Sequence, residues 1–203
     1  MEVLLVDDHE LVTLGVAGLL AEIKQITSIA CVRSLAEARQ RIGKAEAGMP
    51  ALVILDIHLG EENGLDFISF LKEFCRSARA KMPAVLVCSI VEDPFLIKNA
   101  LEMGATGYVP KSSGSGELLR AVKAALLGNA YVPEEYGARM VEIVDTYDQL
   151  TKREKQALAL LRRGNSNTQI AGAMGISRRT VENMISSIYL KTGTSNRAAL
   201  MEL

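Results

Sequence analysis

Short apolar runs that end in polar or acidic residues recur along the first two thirds of the chain. Val3-Leu4-Leu5-Val6 runs into Asp7-Asp8, and Leu52-Val53-Ile54-Leu55 runs into Asp56. Pro83–Cys88 leads to Ser89, and Gly107-Tyr108-Val109-Pro110 leads to Lys111, while Thr27–Val32 is a weaker, edge-like run. Such runs, bounded by turn signals, fit strands buried on both faces of a parallel sheet. Helical spacing fills the intervals between them. Leu11, Gly15 and Leu19 stand four apart, Ser34 and Glu37 form a capping-box pattern, and Leu65, Ile68 and Leu71 mark a third helix. Asp93-Pro94 is a cap followed by proline at the first helical position. Leu118, Val122, Ala125 and Leu126 mark a fifth helix over Glu117–Leu127. This alternation predicts an α/β domain over residues 1–127: a flavodoxin-like (βα)5 unit with a parallel five-stranded sheet in the order 2-1-3-4-5.

The pattern then changes. Residues 128–148 read as a linker with one helix across Glu134–Val144. From 149 to 203 every signal is helical. Thr151/Glu154 and Ser166/Gln169 are capping-box pairs, Gly164 and Gly175 are stops, and Ser177 caps a helix whose buried stripe is Val181, Ile185 and Ile188. The prediction is an all-α, four-helix domain, in which the turn Met174-Gly175-Ile176-Ser177 joins two helices as a helix-turn-helix.

Composition is that of an ordinary globular protein, 49% hydrophobic and 23% charged. No apolar run reaches the length of a membrane span, and Met1-Glu2-Val3 does not open a secretion signal, so no membrane partner is expected. Cys31, Cys75 and Cys88 are scattered, which suits a reducing cytoplasm better than a disulfide framework. Charge is divided unevenly. Residues 148–203 hold nine Lys/Arg against four Asp/Glu, whereas 1–147 hold fourteen against twenty. An acidic front and a basic tail point to two tasks, the second with the sign that suits a polyanion.

The strand ends carry the candidate chemistry. In parallel sheets, sites form beyond the carboxyl ends of the strands. Asp7, Asp8 and Asp56 would meet there, and three carboxylates in a small space need a positive partner. Mg²⁺ (or Mn²⁺), oxygen-seeking and bound by few carboxylates, fits. Lys111 adds a point charge and Ser89 a hydroxyl. With these groups around it, Asp56 is placed to accept a phosphoryl group by in-line attack. Taken singly, each residue has a plainer explanation: a cap for the Asp pair, a strand-end hydroxyl for Ser89, a core aromatic for Tyr108, a solvated loop lysine for Lys111. Their joint placement at four strand ends favours the phosphoacceptor. His9 reads as polar structure at the start of a helix, and Cys88 as a small buried hydrophobe.

Residues 1–127 resemble the receiver domain of two-component response regulators. The resemblance rests on Val6-Asp7-Asp8-His9, Leu55-Asp56, Asn63-Gly64, Val87-Cys88-Ser89, Gly104-Ala105-Thr106-Gly107-Tyr108 and Val109-Pro110-Lys111. It implies that Asp56 takes its phosphoryl group from a cognate sensor histidine kinase. It implies Asp7, Asp8, Asp56 and the backbone carbonyl of His58 as metal ligands, Ser89 and Tyr108 as the switch pair, and Lys111 as the holder of the phosphoryl oxygens. It also implies that the domain assists only its own Mg-dependent phosphorylation and dephosphorylation and is otherwise no enzyme. Where many receivers have Met-Pro after the acceptor, this chain has Leu59-Gly60, which leaves the stiffness of that loop open.

The tail resembles the helix-turn-helix of NarL/FixJ (LuxR-type) regulators, on Leu150-Thr151-Lys152-Arg153-Glu154, Gly164–Ala171, Ile176–Asn183, Lys191-Thr192-Gly193 and Ser195-Asn196-Arg197. This resemblance implies that the helix beginning near Arg178 enters the DNA major groove. Arg178, Arg179 and Thr180 at its start suit phosphates or base edges, and Glu182, Asn183 and Ser186 are candidate base readers. Glu182 stands where family members usually carry lysine, and Met184 is expected to lie exposed on this helix. The whole reads as a phosphorylation-controlled transcription regulator that forms a homodimer when phosphorylated and binds double-stranded DNA, with RNA polymerase as a further partner. The alternative is a protein-interaction module whose tail has drifted from DNA toward a protein. A hydrolase of the haloacid-dehalogenase type would need an Asp at position 58, which is His.

Overall fold

The structure, a computed structural model, describes all residues except 45–47, 61, 91–93, 138–148, 195 and 203. The chain divides into two compact units. The first comprises Met1–Glu92 and Leu96–Glu134, and the second consists mainly of Glu135–Leu203.

In the first unit, strands β1 (Glu2–Val6), β2 (Ser28–Val32), β3 (Leu52–Leu55), β4 (Ala84–Ser89) and β5 (Gly107–Pro110) form one sheet in the order β2-β1-β3-β4-β5. All its pairs are parallel, with Val6 opposite Leu55, Leu55 opposite Val87 and Ser89 opposite Pro110. That is the expected topology. Helices α1 (Glu10–Leu20), α2 (Leu35–Gly43), α3 (Leu65–Ala78) and α4 (Pro94–Met103) occupy the crossovers, and α5 (Ser115–Leu126) follows the last strand. Asp93, read as the cap of α4, lies outside the described residues.

Strand side chains alternate between the two faces. Val3, Leu5, Leu52, Ile54, Leu86, Cys88 and Val109 build one core with Leu118, Ala121, Val122 and Ala125 of α5. Burying these side chains contributes roughly 1.5–3 kcal/mol each for the larger ones. On α1, Leu11 is 85% exposed, and the inward positions are Thr13, Val16, Ala17, Leu19 and Leu20. Four-residue spacing marks a helix, but the neighbour decides which face is buried.

Past Leu126 the chain does not leave the sheet at once. Tyr131 forms a parallel bridge to Gly107, its N–H donating to Thr106 O (3.1 Å) and its carbonyl accepting from Tyr108 N (2.8 Å). A Cβ on Gly107 would stand 2.5 Å from the Tyr131 carbonyl, so only glycine fits there. Tyr131 thus belongs to the first compact unit, which runs to Glu134. Of the helix expected over 134–144, residues 134–137 are helical and the remainder lies outside the described residues.

The second unit holds α6 (Lys152–Arg162), α7 (Asn167–Met174), α8 (Arg178–Thr192) and α9 (Arg197–Glu202). Thr151/Glu154 and Ser166/Gln169 form complete capping boxes, and Gly175 ends α7 at φ 63°. Leu158, Leu161, Ile170, Val181, Ile185, Ile188 and Leu200 make its core. Among the described residues, no helix is long and apolar enough to cross a membrane.

Candidate phosphoacceptor site and DNA-facing helix

The sheet order sets β1, β3, β4 and β5 side by side, so their carboxyl ends converge. Asp56 follows β3 and is 3% exposed, and Asp7 follows β1 and is 7% exposed. Between them sits the ammonium of Lys111, its Nζ 2.6 Å from Asp7 Oδ2 and 2.6 Å from Asp56 Oδ2. Burial opposes the charge on Lys111, but hydrogen bonds to Asp56 and Asp7 outweigh it and raise the pKa above 10.5. One ammonium thus offsets two carboxylates that would otherwise repel each other. Its backbone is anchored as well, since the Lys111 N–H donates to Ser89 O at 2.8 Å.

The remaining oxygens are held by nearby amides. Asp7 Oδ1 accepts from His9 N (2.9 Å), and Asp56 Oδ1 accepts from His58 N (3.2 Å). Asp8 Oδ2 accepts from Gly60 N at 3.0 Å, across 52 residues. Asp8 Oδ1 is buried and has no hydrogen-bond partner. His9 is nearer the cluster than its sequence role suggested: Nδ1 lies 2.7 Å from Asp8 Oδ1 and 3.3 Å from Asp7 Oδ1. Its position directly after the Asp pair was the available signal.

These residues fit a small divalent cation. One potential ligand atom from each of Asp7, Asp8, His9 and Asp56 lies within 4.8 Å of the others, and the orphaned Asp8 Oδ1 lacks a positive partner with hydrogen-bond geometry. His58 joins the site through its amide, as just described.

Ser89 ends β4 and is fully buried, as is Tyr108 on β5, whose ring lies inside rather than at the rim. A cavity that admits little more than a water is lined by Asp7, Asp56, Thr13, Val12 and Cys88. Burial pushes the Cys88 thiol up to about 12, which agrees with the reading of a small buried hydrophobe.

The loop after Asp56 is a two-rung hairpin, His58 opposite Asn63 and Leu59 opposite Glu62. Glu62 Oε2 accepts from Leu35 N, the first residue of α2 (3.1 Å), and Asn63 Oδ1 accepts from Leu65 N, the first residue of α3 (3.1 Å). The Leu59-Gly60 loop therefore takes its stiffness from hydrogen bonds. Gly64 turns so tightly beneath it that a Cβ would stand 1.9 Å from the Asp56 carbonyl.

In the second unit, Arg178, Arg179 and Asn183 are exposed on α8. Arg178 Nε donates to Glu182 Oε1 at 2.8 Å, so Glu182 neutralises an arginine one turn away. Thr180 helps cap the helix, its amide donating to Ser177 Oγ, and the Ser186 hydroxyl donates to Glu182 O (3.0 Å). Met184 is half-buried and packs against the core, contrary to the expectation that it lies exposed. It follows Val181 by three residues, and that spacing brings it to the edge of the buried stripe. Glu154 was read only as half of a capping box, but it reaches further. Besides the Thr151 amide, it accepts from Lys191 Nζ (2.7 Å) and Ser187 Oγ (2.7 Å). Burial opposes its charge, yet these bonds hold its pKa down at about 2.

A family model described as the response regulator receiver domain matches residues 3–123, and one described as bacterial regulatory proteins of the luxR family matches 148–203. The DNA-binding transcriptional activator DevR/DosR of Mycobacterium tuberculosis is 32% identical, over 97% of this chain and 90% of its own. The response regulator protein VraR of Staphylococcus epidermidis is 28% identical, over 97% and 92%. In fold, the chain is similar to RcsB of Salmonella enterica serovar Typhimurium, solved bound to a promoter with a phosphomimetic. The TM-score is 0.73 at 22% identity, covering 99% of this chain and 96% of that one.

Proposed function

The chain belongs to the two-component response regulators of the NarL/FixJ, LuxR-type family, with a receiver domain and a helix-turn-helix DNA-binding domain, and from that premise we propose that Asp56 is the phosphoacceptor through which a sensor histidine kinase controls DNA binding. Residues 1–127 carry the receiver function and 149–203 the DNA-binding function, joined through 128–148. The observation that carries this reading is the Lys111 ammonium bridging Asp7 and Asp56 at 2.6 Å each.

In the proposed transfer, an Asp56 carboxylate oxygen attacks the phosphorus of a phosphohistidine in line. The new O–P bond forms as the P–N bond breaks, and the leaving imidazole keeps the electron pair and takes up a proton. Asp7, Asp8, Asp56 and the His58 carbonyl would hold Mg²⁺ or Mn²⁺, which supplies positive charge to the phosphoryl oxygens when bound. Lys111 follows the charge from carboxylate to phosphoryl oxygen, and Ser89 donates its hydroxyl to the same group. The same groups assist loss of the phosphoryl group to water. Ser89 and Tyr108 lie on adjacent strands, so a pull on one is transmitted to the packing of the other and to the surface of α4 and α5.

A changed surface there favours a homodimer. Two tails would then present α8 to half-sites spaced by about one helical turn, ~10 bp, or a multiple of it. Arg178, Arg179 and Thr180 contact phosphates or base edges, with Glu182, Asn183 and Ser186 facing the groove. RNA polymerase is a partner that such a bound dimer can meet, and the cytoplasm is where kinase, regulator and DNA coexist.

The test is labelling with a small-molecule phosphodonor in the presence of Mg²⁺, followed by gel shift on genomic fragments. The expected result is one acid-stable, base-labile phosphate lost in Asp56→Asn, with tighter DNA binding by the labelled protein. Labelling of Asp56→Asn equal to the parent, or DNA affinity indifferent to labelling, would overturn the proposal.

A further inference from the structure

We propose that the backbone amide of Gly60 is a positioning group for the metal site, fixing Asp8 so that its second carboxylate oxygen is presented to a divalent cation. The proposal rests on the reading of the acidic cluster as a cation site.

The two oxygens of Asp8 are treated differently. Oδ2 accepts from the Gly60 N–H at 3.0 Å, while Oδ1 is buried with no hydrogen-bond partner. His9 Nδ1 lies 2.7 Å from it without making a hydrogen bond. A buried carboxylate oxygen without a donor is costly, and the cost disappears when a cation arrives. Tying one oxygen leaves the other to ligate, and such outer hydrogen bonds orient a ligating carboxylate. Asp7 and Asp56 are held by the amides of His9 and His58, each two residues away in the chain. Only Asp8 takes its orienting amide from a distant segment.

Position 60 suits this task for two reasons. It has an N–H, which a proline there would lack. It also lies at φ +60°, a conformation that glycine adopts without strain and that aims the amide back at Asp8. The loop does not depend on Gly60 for its own anchorage. Glu62 holds the amide of Leu35, Asn63 holds that of Leu65, and Leu59 is buried. The amide is therefore presented by a segment already tied down, as preorganisation requires. The Leu59-Gly60 departure from the Met-Pro pattern replaces a rigid ring with a hydrogen-bond donor.

The test combines calorimetric titration of the full chain with Mg²⁺ and Mn²⁺ and the ¹⁵N–¹H signal of Gly60. Gly60→Pro, which removes the donor and cannot hold φ +60°, should weaken both ions about 10–100-fold. Gly60→Ala, which keeps it, should lose far less. The Gly60 amide proton should shift to higher field in Asp8→Ala without any metal, and in the parent its signal should move along the calorimetric curve. The inference fails if a folded Gly60→Pro binds metal like the parent, or if Gly60→Ala loses as much as Gly60→Pro. It also fails if the amide signal is indifferent to Asp8→Ala, a readout that stands even where Gly60→Pro does not fold. A parent that binds neither ion, with the amide still responding to Asp8→Ala, would refute the cation site and leave only a structural hydrogen bond.

Discussion

Lys111 Nζ stands 2.6 Å from Asp56 Oδ2 although 55 residues separate the two in the chain. The contact brings the end of β5 onto the end of β3, and Asp7 shares the same ammonium. Replacing Lys111 by Met leaves two buried carboxylates without their cation. A loss of about 3 kcal/mol in urea unfolding is expected, together with loss of stable labelling at Asp56. Because its pKa is raised above 10.5, the lysine contributes stability that is fully present below pH 10.5 and disappears as the pH rises through the raised value. Alkaline unfolding curves of parent and variant should therefore converge. Unchanged stability of Lys111→Met at neutral pH would contradict this account.

Gly64 is the tightest point beneath Asp56. A Cβ there would overlap the Asp56 carbonyl at 1.9 Å, whereas one on Gly114 would meet nothing within 4 Å. Gly64→Ala should cost more than about 2 kcal/mol by thermal melting and depress labelling of Asp56. Gly114→Ala should be close to neutral in both. Equal behaviour of the two variants would show that backbone proximity at Gly64 is not what holds the loop.

Glu154 ties α6 to α8. Its pKa is depressed to about 2 from 4.5, so the stability it adds is complete above pH 4.5 and is lost as pH falls from there toward 2. Glu154→Gln should cost about 2 kcal/mol at pH 7, below the figure for a fully buried pair because Lys191 retains access to water. The difference between parent and variant should shrink on acidification. A gap that stays constant down to pH 2.5 would assign the effect to packing instead.

Glu182 places a carboxylate on α8, the helix proposed to meet DNA, and pairs with Arg178. Glu182→Lys removes one negative charge, adds a positive one and releases the arginine. The slope of log affinity against log salt should steepen by about 1–2, with tighter binding to non-specific duplex. Fluorescence anisotropy across a salt series measures it. A slope equal to the parent's would mean that this turn of α8 does not face the phosphates.

The acids at strand ends and the helix caps were legible because each rests on a local signal, and the strand order because right-handed crossovers leave few topologies. An apolar run followed by an acid marks a strand end, and Thr151 three residues before Glu154 marks a cap wherever it occurs. The buried face of α1 was not legible, since Leu11, Gly15 and Leu19 share one helical spacing, yet Leu19 packs inward while Leu11 faces outward. Met184 went the opposite way: its place off the Val181, Ile185 and Ile188 stripe suggested exposure, and packing against the helical core half-buries it. The reach of Glu154 to Lys191 was hidden for the same reason, because a capping box says nothing of a partner 37 residues away.

By itself, then, the sequence determined which segments become strands and helices, in what order, and which acidic and basic groups stand at strand ends. Those properties depend on neighbours a few residues apart. Tertiary structure alone decided which oxygen meets which donor: Lys111 between Asp7 and Asp56, the Gly60 amide on Asp8, Glu62 on the start of α2. A hydrogen bond is made or lost within a few tenths of an ångström, and that precision comes from the closed packing of the sheet and its helices.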